Sequence, residues 1–338
     1  MIPAVVASVI VLAAAPGIGE LRGLVQDAFP DHYRLILVSI VAVALTAAVA
    51  WAVIRIRERQ GLRYGLITAA VVVGTAYSLL MATGEPNVDA VERFHFVEYG
   101  LLALLFFRAW RGLPWRAAAV LAFAAAFMVG TLDEWLQWFV PGRVGEWRDV
   151  LLNSVAIGCG LLFALGLQGP ATTSYYAYRV RSGRFHPAFL PLLTFAIFAA
   201  FFYTVHIGHQ IRDQSIGTFR SRFSAAHLLA LADERRAQWK VAPPNGTRVY
   251  SREDQYLAEA LWHIQRRNDM DAEGGLWATW KENLILETYF APVLEVPTYR
   301  TSGGARWPRE QRNNTEAAVG ADTRAFVSDA HPFPIYAW

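Results

Sequence analysis

The side chains best suited to chemistry lie in one short stretch, Thr131 to Asn153, between two long apolar runs. Its ionisable and amide residues are Asp133, Glu134, Gln137, Arg143, Glu146, Arg148, Asp149 and Asn153. Ionisable groups at the edge of a bilayer are costly to desolvate, so they face one another or a wet cavity rather than lipid. The stretch therefore predicts a polar cluster where two membrane helices meet.

The spacing within this stretch places several of these groups together. Asp133 and Gln137 are four residues apart, and Glu134 and Gln137 are three apart, so a helix carries all of them on one broad face. A Pro-Gly pair at 141–142 ends that helix. Asp149 and Asn153 repeat the four-residue spacing on the next one.

A second polar stripe precedes the first. His95 and Tyr99 are four residues apart, and Glu92 and Glu98 are each three from His95. We predict that the two stripes share one site at the same membrane depth. Its predicted members are His95, Glu98, Tyr99, Asp133, Glu134, Gln137, Arg143, Asp149 and Asn153.

This residue set allows several kinds of chemistry. It could be a network that holds membrane helices together, with Arg143 neutralising carboxylates, and each such bond contributes only about 0.6–2 kcal/mol. It could instead be a pocket for a headgroup, peptide or sugar, which the surplus of acid over base favours. Crowded carboxylates also provide an acid next to a base. His95 with the acids is a conceivable metal ligand set, but no spacing is diagnostic of one. No catalytic residue, metal or cofactor is assigned.

The composition points to a membrane protein. Of the 338 residues, 54% are hydrophobic and 17% charged, against about 25% charged in a typical soluble domain. The net charge of +3 does not indicate nucleic-acid binding, because the arginines are spaced between apolar runs. The single cysteine, Cys159, excludes an intrachain disulfide.

Apolar runs predict six clear membrane spans. They lie at about residues 33–55, 62–83, 97–110, 114–132, 148–168 and 187–205. The third is short, so its helix is expected to start near Val91. Ile2 to Ala15 predicts a short retained helix, with a cleaved signal peptide as the alternative. Gly17 to Pro30 has the spacing of an interfacial helix.

The loops between the spans predict orientation. Alternate loops are rich in arginine, and basic loops stay in the cytoplasm. These arginines are Arg55, Arg57, Arg59 and Arg63; Arg108, Arg111 and Arg116; and Arg179, Arg181 and Arg184. Both polar stripes and residues 207–338 are then expected on the outer side.

The tail from about residue 207 is polar, with scattered tryptophans. It predicts helices at about Ser251 to Asn268 and Ala272 to Phe290. After Pro292, a Gly-, Pro- and Arg-rich sequence predicts an extended arm that needs a surface to become ordered. Its aromatic residues could pack on a partner protein, on the tail's own helices or on the bilayer. They are Trp307, Phe333, Tyr336 and Trp338.

The two stripes resemble those of the VanZ-like membrane proteins over about residues 62–168. The family pattern is His-Phe-x-x-Tyr, then Asp-Glu-x-x-Gln, a Pro-x-Arg turn and Asp-x-x-x-Asn. The matching residues here are His95, Phe96, Tyr99, Asp133, Glu134, Gln137, Pro141, Arg143, Asp149 and Asn153. The resemblance implies a bacterial cytoplasmic membrane, with the outer face in the periplasm. It supplies no reaction and no substrate.

We therefore predict an all-α, polytopic bundle of six or seven membrane helices with a mostly helical C-terminal region outside the membrane. The expected divisions are residues 1–32, 33–206 and 207–338. The expected function is an outward polar pocket that binds a cell-envelope or lipid headgroup. The alternatives are an accessory subunit of a larger membrane complex, docked through residues 207–338, and an enzyme acting on a lipid-linked substrate. The expected partners are the bilayer and, in the subunit hypothesis, other membrane proteins.

Overall fold

The computed structural model describes residues 1–82, 86–140, 145–168, 188–244, 252–299, 301–330 and 336–337. The backbone divides into two units. The first comprises Met1–Leu136 and Trp147–Phe201, and the second comprises Gln137–Glu146 and Phe202–Trp338. The chain is mostly helical, as predicted.

All the regular secondary structure described in the first unit is helical. The helices are α1 (Ile2–Ala14), α2 (Ile18–Ala28), α3 (Tyr33–Arg55), α4 (Gln60–Leu80), α5 (Pro86–Ala109), α6 (Trp115–Gln137), α7 (Trp147–Gln168) and α8 (Phe189–His206). The last residue of α6 and the last turn of α8 belong to the second unit.

Each of the six predicted spans coincides with one helix, from α3 to α8. Five of them, namely α3, α4, α6, α7 and α8, are long and apolar enough to cross a membrane. Helix α5 has 24 residues, so it is about 36 Å long and also exceeds a hydrocarbon core of about 30 Å. It is less apolar because it carries the stripe around His95. The prediction of a polytopic helical bundle is confirmed.

The bundle is tightest where α5 crosses α7. A Cβ atom on Gly160 would lie 2.6 Å from the Gly100 Cα and 2.9 Å from the Gly100 carbonyl carbon. Real Cβ atoms do not approach other atoms so closely, and the neighbouring atoms here are backbone. Only glycine at position 160 therefore permits this crossing, in the way that small residues allow membrane helices to approach.

Helix α1 belongs to the same core. Ala4 and Val11 lie in one buried cluster with Leu102 and Phe106 of α5. Buried alanines of α6, among them Ala122, belong to the same cluster. The short N-terminal helix is thus packed against a helix that carries the polar stripe.

Arg63 ties α4 to the end of α7. Its Nε donates to the Gly166 carbonyl at 2.7 Å, and its Nη2 donates to the Leu167 carbonyl. These carbonyls lie in the last turn of α7, where they have no partner within the helix. A cation there also complements the negative end of the helix dipole. Arg63 therefore caps α7 from a neighbouring helix.

Replacing Arg63 by methionine should lower the stability of the first unit, because methionine keeps the aliphatic stem and removes both donors. Hydrogen bonds from charged groups contribute about 1.5–3 kcal/mol, so the thermal midpoint of the full-length protein in mild detergent should fall by several degrees. Arg57→Met, at an exposed loop position, is the matched control. Equal midpoints for the two variants would contradict the capping role.

The second unit combines a small sheet with helices. Its strands are β1 (Ile207–Asp213), β2 (Gly217–Ser221) and β3 (Tyr336–Ala337), in the order β2-β1-β3. β1 pairs antiparallel with β2, from His209 opposite Ser221 to Asp213 opposite Gly217. β1 also pairs in parallel with β3. The helices are α9 (Ala225–Val241), α10 (Arg252–Ala272), α11 (Leu276–Tyr289), α12 (Ala291–Glu295) and α13 (Arg309–Val319).

The sequence predicted α10 and α11 but neither the strands nor α9. The arm after Pro292 is also not extended throughout, because it contains α13 and begins within α12. Tertiary contacts stabilise α13: the Arg312 Nε donates to both carboxylate oxygens of Glu287 on α11, at 3.0 and 3.1 Å. The Arg312 guanidinium also lies 5.1 Å from the centre of the Trp280 ring. Neither contact is visible in the local sequence of the arm.

The arm lies on the tail's own helices and sheet. Trp307 stacks under Arg267 of α10, with 5.1 Å between the guanidinium and the ring centre. Phe326 is buried in the core of the second unit, and its carbonyl accepts from the Thr218 N–H at 2.9 Å. Gly217, with φ +124°, leaves the space for this contact, since a Cβ there would lie 2.6 Å from the Phe326 oxygen. Of the three surfaces considered for the arm, the tail's own helices hold Trp307.

Candidate functional site

Helix α5 presents His95, Glu98 and Tyr99 on adjoining positions of one face. The His95 Nδ1 lies 3.6 Å from the Glu98 Oε2. The imidazole also stacks on the Tyr99 ring, with 5.8 Å between centres and 21° between planes. Tyr99 is fully buried, whereas His95 and Glu98 keep about a quarter of their side-chain surface exposed. This stripe therefore runs from an accessible edge into the bundle.

Tyr99 joins α5 to the acidic end of α6. Its hydroxyl donates to the Asp133 Oδ2 at 2.9 Å, and both residues are buried. The carboxylates of Asp133, Glu98 and Glu134 all act electrostatically on Tyr99. Acidic side chains of α5 and α6 thus lie around this tyrosine.

Asn153 of α7 completes the arrangement. A Cβ on Gly130 would lie 3.1 Å from the Tyr99 Cε1 and 3.3 Å from the Asn153 Nδ2, so both side chains contact α6 at the same glycine. We call Glu98, Tyr99, Asp133, Glu134 and Asn153 the Tyr99 cluster. It is built by three helices, α5, α6 and α7.

The Asn153 side chain is unusual because its amide is buried without a described hydrogen bond. It is only 1% exposed, yet neither its Oδ1 nor its Nδ2 makes a hydrogen bond with any residue that the structure describes. Buried amide groups in folded proteins almost always have a partner. Leaving one unsatisfied costs about 1–3 kcal/mol. The amide therefore has a donor and an acceptor that the described residues leave unused.

Asp149 contributes to a polar group around Glu92. It acts electrostatically on Glu92, whose Oε1 accepts from the Arg148 Nη2 at 3.0 Å. The same Arg148 nitrogen also reaches the Met81 carbonyl at 3.2 Å. Within this group, the Arg148 guanidinium pairs with the Glu92 carboxylate.

Two other predicted members have different positions. Gln137 is the last residue of α6; it is buried and belongs to the second unit. Arg143 lies outside the described residues, and with it the proposed neutralisation of the carboxylates. Among the residues that are described, no group of three or more His, Cys, Asp or Glu is placed to hold a metal ion.

Helix α10 also carries a buried polar stripe that was not predicted from the sequence. Gln255, Glu259, His263 and Arg267 recur every four residues and are all buried. The prediction of this helix used only its apolar face, which Leu257, Leu261 and Ile264 form on the opposite side. The exact four-residue spacing of the polar residues was the signal that could have revealed a second covered face.

Glu282 of α11 is the centre of the network that faces this stripe. Its Oε2 lies 2.7 Å from the His263 Nδ1, and its Oε1 accepts from the Ser328 hydroxyl. The imidazole packs between Phe219 and Phe290, with ring centres at 5.7 and 5.5 Å. Because this group is enclosed by the core and joins three chain segments, we interpret it as structural.

Arg267 extends the network towards the arm. Its Nη1 donates to the Asn283 Oδ1 at 3.0 Å and its Nη2 donates to the Ala305 carbonyl at 3.0 Å. Burial lowers the pKa of Arg267 to about 10, while Asp271 and Glu287 act in the opposite direction. The guanidinium therefore remains charged at neutral pH, and it anchors the residues around Trp307.

The comparison with known families concerns the first unit. Residues 33–168 match the family model described as VanZ/LLP1, and this range contains α3 to α7 with the whole Tyr99 cluster. The match starts at residue 33 rather than at about 62, so α3 also belongs to the shared region. No curated protein and no solved structure gives a significant match. Residues 33–168 are therefore a VanZ-like region, in a chain with five described helices that are long and apolar enough to cross a membrane.

Proposed function

We propose that the VanZ-like region binds the polar headgroup of a cell-envelope lipid at the Tyr99 cluster. The observation that carries this proposal is the Asn153 amide, which is 1% exposed and lacks a hydrogen-bond partner among the described residues. A ligand that reaches the cluster would satisfy it. The partly exposed His95 and Glu98 mark the edge from which a headgroup would enter.

The competing interpretation is a network that only holds the helices together. Such a network does hold α5 to α6, because the Tyr99 hydroxyl bonds to Asp133. A purely structural network, however, would satisfy its buried amides. In the Tyr99 cluster the buried Asn153 amide has no hydrogen-bond partner among the described residues, which favours a binding role.

The proposal includes a location. The arginine-rich loops before α4 and between α5 and α6 favour the cytoplasmic side for those ends of the helices. The Tyr99 cluster lies at the opposite ends of α6 and α7. We therefore propose a bacterial cytoplasmic membrane, with the cluster and the second unit on the periplasmic side.

The subunit hypothesis was based on the C-terminal arm, which was expected to need a partner protein to become ordered. An arm of more than 40 residues was expected to need a partner surface, but Trp307 and Phe326 pack within the second unit. The enzyme hypothesis remains without a positive observation, since crowded carboxylates alone are consistent with binding. We accordingly propose the headgroup site as the single function.

Asp133→Asn should abolish headgroup binding while the protein remains folded, because asparagine keeps the size of the side chain and removes its charge. Full-length protein purified in mild detergent would be analysed by native mass spectrometry for retained lipid. The wild type should keep a lipid that the variant loses by about tenfold or more, as expected when a charge-assisted hydrogen bond is lost. Asp31→Asn, at an exposed position, is the matched control.

Unchanged lipid retention in Asp133→Asn would contradict the proposal. So would a parallel loss in Asp31→Asn, because the effect would then not belong to the cluster. Tyr99→Phe keeps the ring that stacks on His95 and removes only the hydroxyl. It separates the contribution of helix packing from that of the charge.

A further inference from the structure

We propose, building on the headgroup site above, that the ligand is recognised through the hydroxyl groups of a polyol, such as the glycerol headgroup of phosphatidylglycerol. The inference rests on that proposed site and on two features of Asn153. Its amide has a donor and an acceptor that are both unused, and it is buried inside the bundle. The first feature restricts the hydrogen bonds that a ligand must offer, and the second restricts the charge of the group that offers them.

The Asn153 amide requires a ligand that both donates and accepts. Its Oδ1 is an acceptor and its Nδ2 a donor, and neither has a partner among the described residues. The hydroxyl of Thr131 on α6 is also buried without a described partner. Thr131 follows Gly130, which Asn153 contacts, so unused polar groups of two helices lie at one depth. A hydroxyl both donates and accepts, so neighbouring hydroxyls of a polyol can satisfy the Oδ1 and the Nδ2 together.

The burial of Asn153 favours an uncharged group. The side chain keeps 1% of its surface exposed, so any ligand atom that bonds to it has left water. An ammonium or a phosphate loses far more hydration energy in that transfer than a hydroxyl does. A hydroxyl also recovers its lost hydrogen bonds from the amide. This preference follows from the position of Asn153 and does not depend on the charge of the neighbouring acids.

The depth of Asn153 favours a lipid as the source of the hydroxyls. Asn153 lies in the second turn of α7, a helix apolar enough to cross a membrane, and about 9 Å along it from its first residue. The hydroxyls of a glycerol headgroup extend a few bonds beyond the phosphate, so they can reach this depth while the phosphate stays near the helix end. A lipid is also held at the membrane surface, which raises the local concentration of its headgroup over that of a free polyol.

The test compares two lipids of equal charge on the full-length protein. Nanodiscs would contain equal amounts of phosphatidylglycerol and phosphatidylpropanol, which has the same phosphate and three-carbon headgroup but no hydroxyl. Co-purifying lipid would be counted by native mass spectrometry after transfer to detergent. We expect phosphatidylglycerol to exceed phosphatidylpropanol by about tenfold, the effect of two ordinary hydrogen bonds. This comparison uses the wild type and is independent of how any variant folds.

Asn153→Leu should remove the preference for phosphatidylglycerol, because leucine has a similar shape and neither donor nor acceptor. The fold loses no described hydrogen bond in this variant, so its thermal midpoint should not fall. Ser154→Ala is the matched control, since the Ser154 hydroxyl already donates to the Val150 carbonyl at 2.7 Å, and it should keep the preference. A preference that survives in Asn153→Leu, or that disappears in Ser154→Ala as well, would contradict recognition by Asn153.

The possible outcomes separate this inference from the proposed function. Equal retention of the two lipids by the wild type would overturn the hydroxyl assignment and leave a headgroup site in place. Retention of no lipid would overturn both. Displacement of phosphatidylglycerol by soluble glycerophosphoglycerol at matched concentration would support recognition of the hydroxyls and overturn their assignment to a lipid.

Discussion

Gly160→Ala should prevent α5 and α7 from packing as they do. The added carbon would lie 2.6 Å from the Gly100 Cα. No rotation of a side chain relieves an overlap with backbone, so the two helices would have to separate. Overpacking typically costs about 1–3 kcal/mol and sometimes more. We expect a value at or above the upper end, measured as the thermal midpoint and the monodisperse fraction of detergent-purified protein.

Two alanine variants control for the general effect of replacing a helical glycine. Gly158 lies on the same helix with no atom within 4 Å of its added Cβ. The added Cβ of Gly100 would lie 3.7 Å from the Ala156 oxygen, which is an ordinary contact. Alanine exceeds glycine in helix propensity by about 0.8–1.0 kcal/mol, so Gly158→Ala and Gly100→Ala should be neutral or stabilising. A stable Gly160→Ala protein would show that α5 and α7 do not cross at these glycines.

Glu282→Leu should unfold much of the second unit, because it removes the acceptor for both His263 and Ser328. The side chain is fully buried, so neither partner could turn to solvent. Removing one member of a buried polar pair costs about 3–5 kcal/mol. Hydrogen–deuterium exchange on the full-length protein should show lost protection in α10 and α11, and also around Ser328.

The control for Glu282→Leu is Glu273→Leu, which makes the same change at an exposed position beyond the end of α10. Glu282→Gln should fall between the two, since an amide can still accept from one partner. Retained exchange protection in Glu282→Leu would mean that the network contributes little to the fold. Loss confined to the region of Ser328 would limit its role to holding the arm.

These contacts also change how the arm should be studied. Removing residues 292–338 would take away Phe326 and Ser328, which are part of the core and of the Glu282 network. Such a deletion would disturb the second unit whether or not a partner protein exists. Point changes on the exposed surface of α13 are the sharper way to examine a partner.

Much of the first unit could be predicted from the sequence. A run of about 20 apolar residues has one stable arrangement in a bilayer, a helix that satisfies its own backbone. The ends of α3 to α8 therefore lie within a few residues of the predicted spans, except at the polar start of α5. The three- and four-residue spacings also placed His95, Glu98 and Tyr99 on one stripe, and Asp133 and Glu134 on another.

Less of the second unit could be predicted. The strands β1 and β2 are short, and β3 depends on pairing with a strand more than 100 residues away. Helix α13 depends on Arg312 reaching Glu287. The stripe from Gln255 to Arg267 is polar, and a polar stripe is ordinarily solvated. Here Glu282 and Asn283 of α11 meet its second half, at His263 and Arg267.

The sequence by itself determined which segments cross the membrane and which residue types gather at their ends, because helix length and spacing are local properties. Only the tertiary structure decided which of those residues meet. Asp149 and Asn153 occupy one stripe of α7, yet Asp149 faces the Glu92 and Arg148 group while Asn153 contacts Gly130 beside Tyr99. Spacing identifies the face of a helix. The partner of that face depends on how the helices cross, and here the crossing follows from the contact between Gly100 and Gly160.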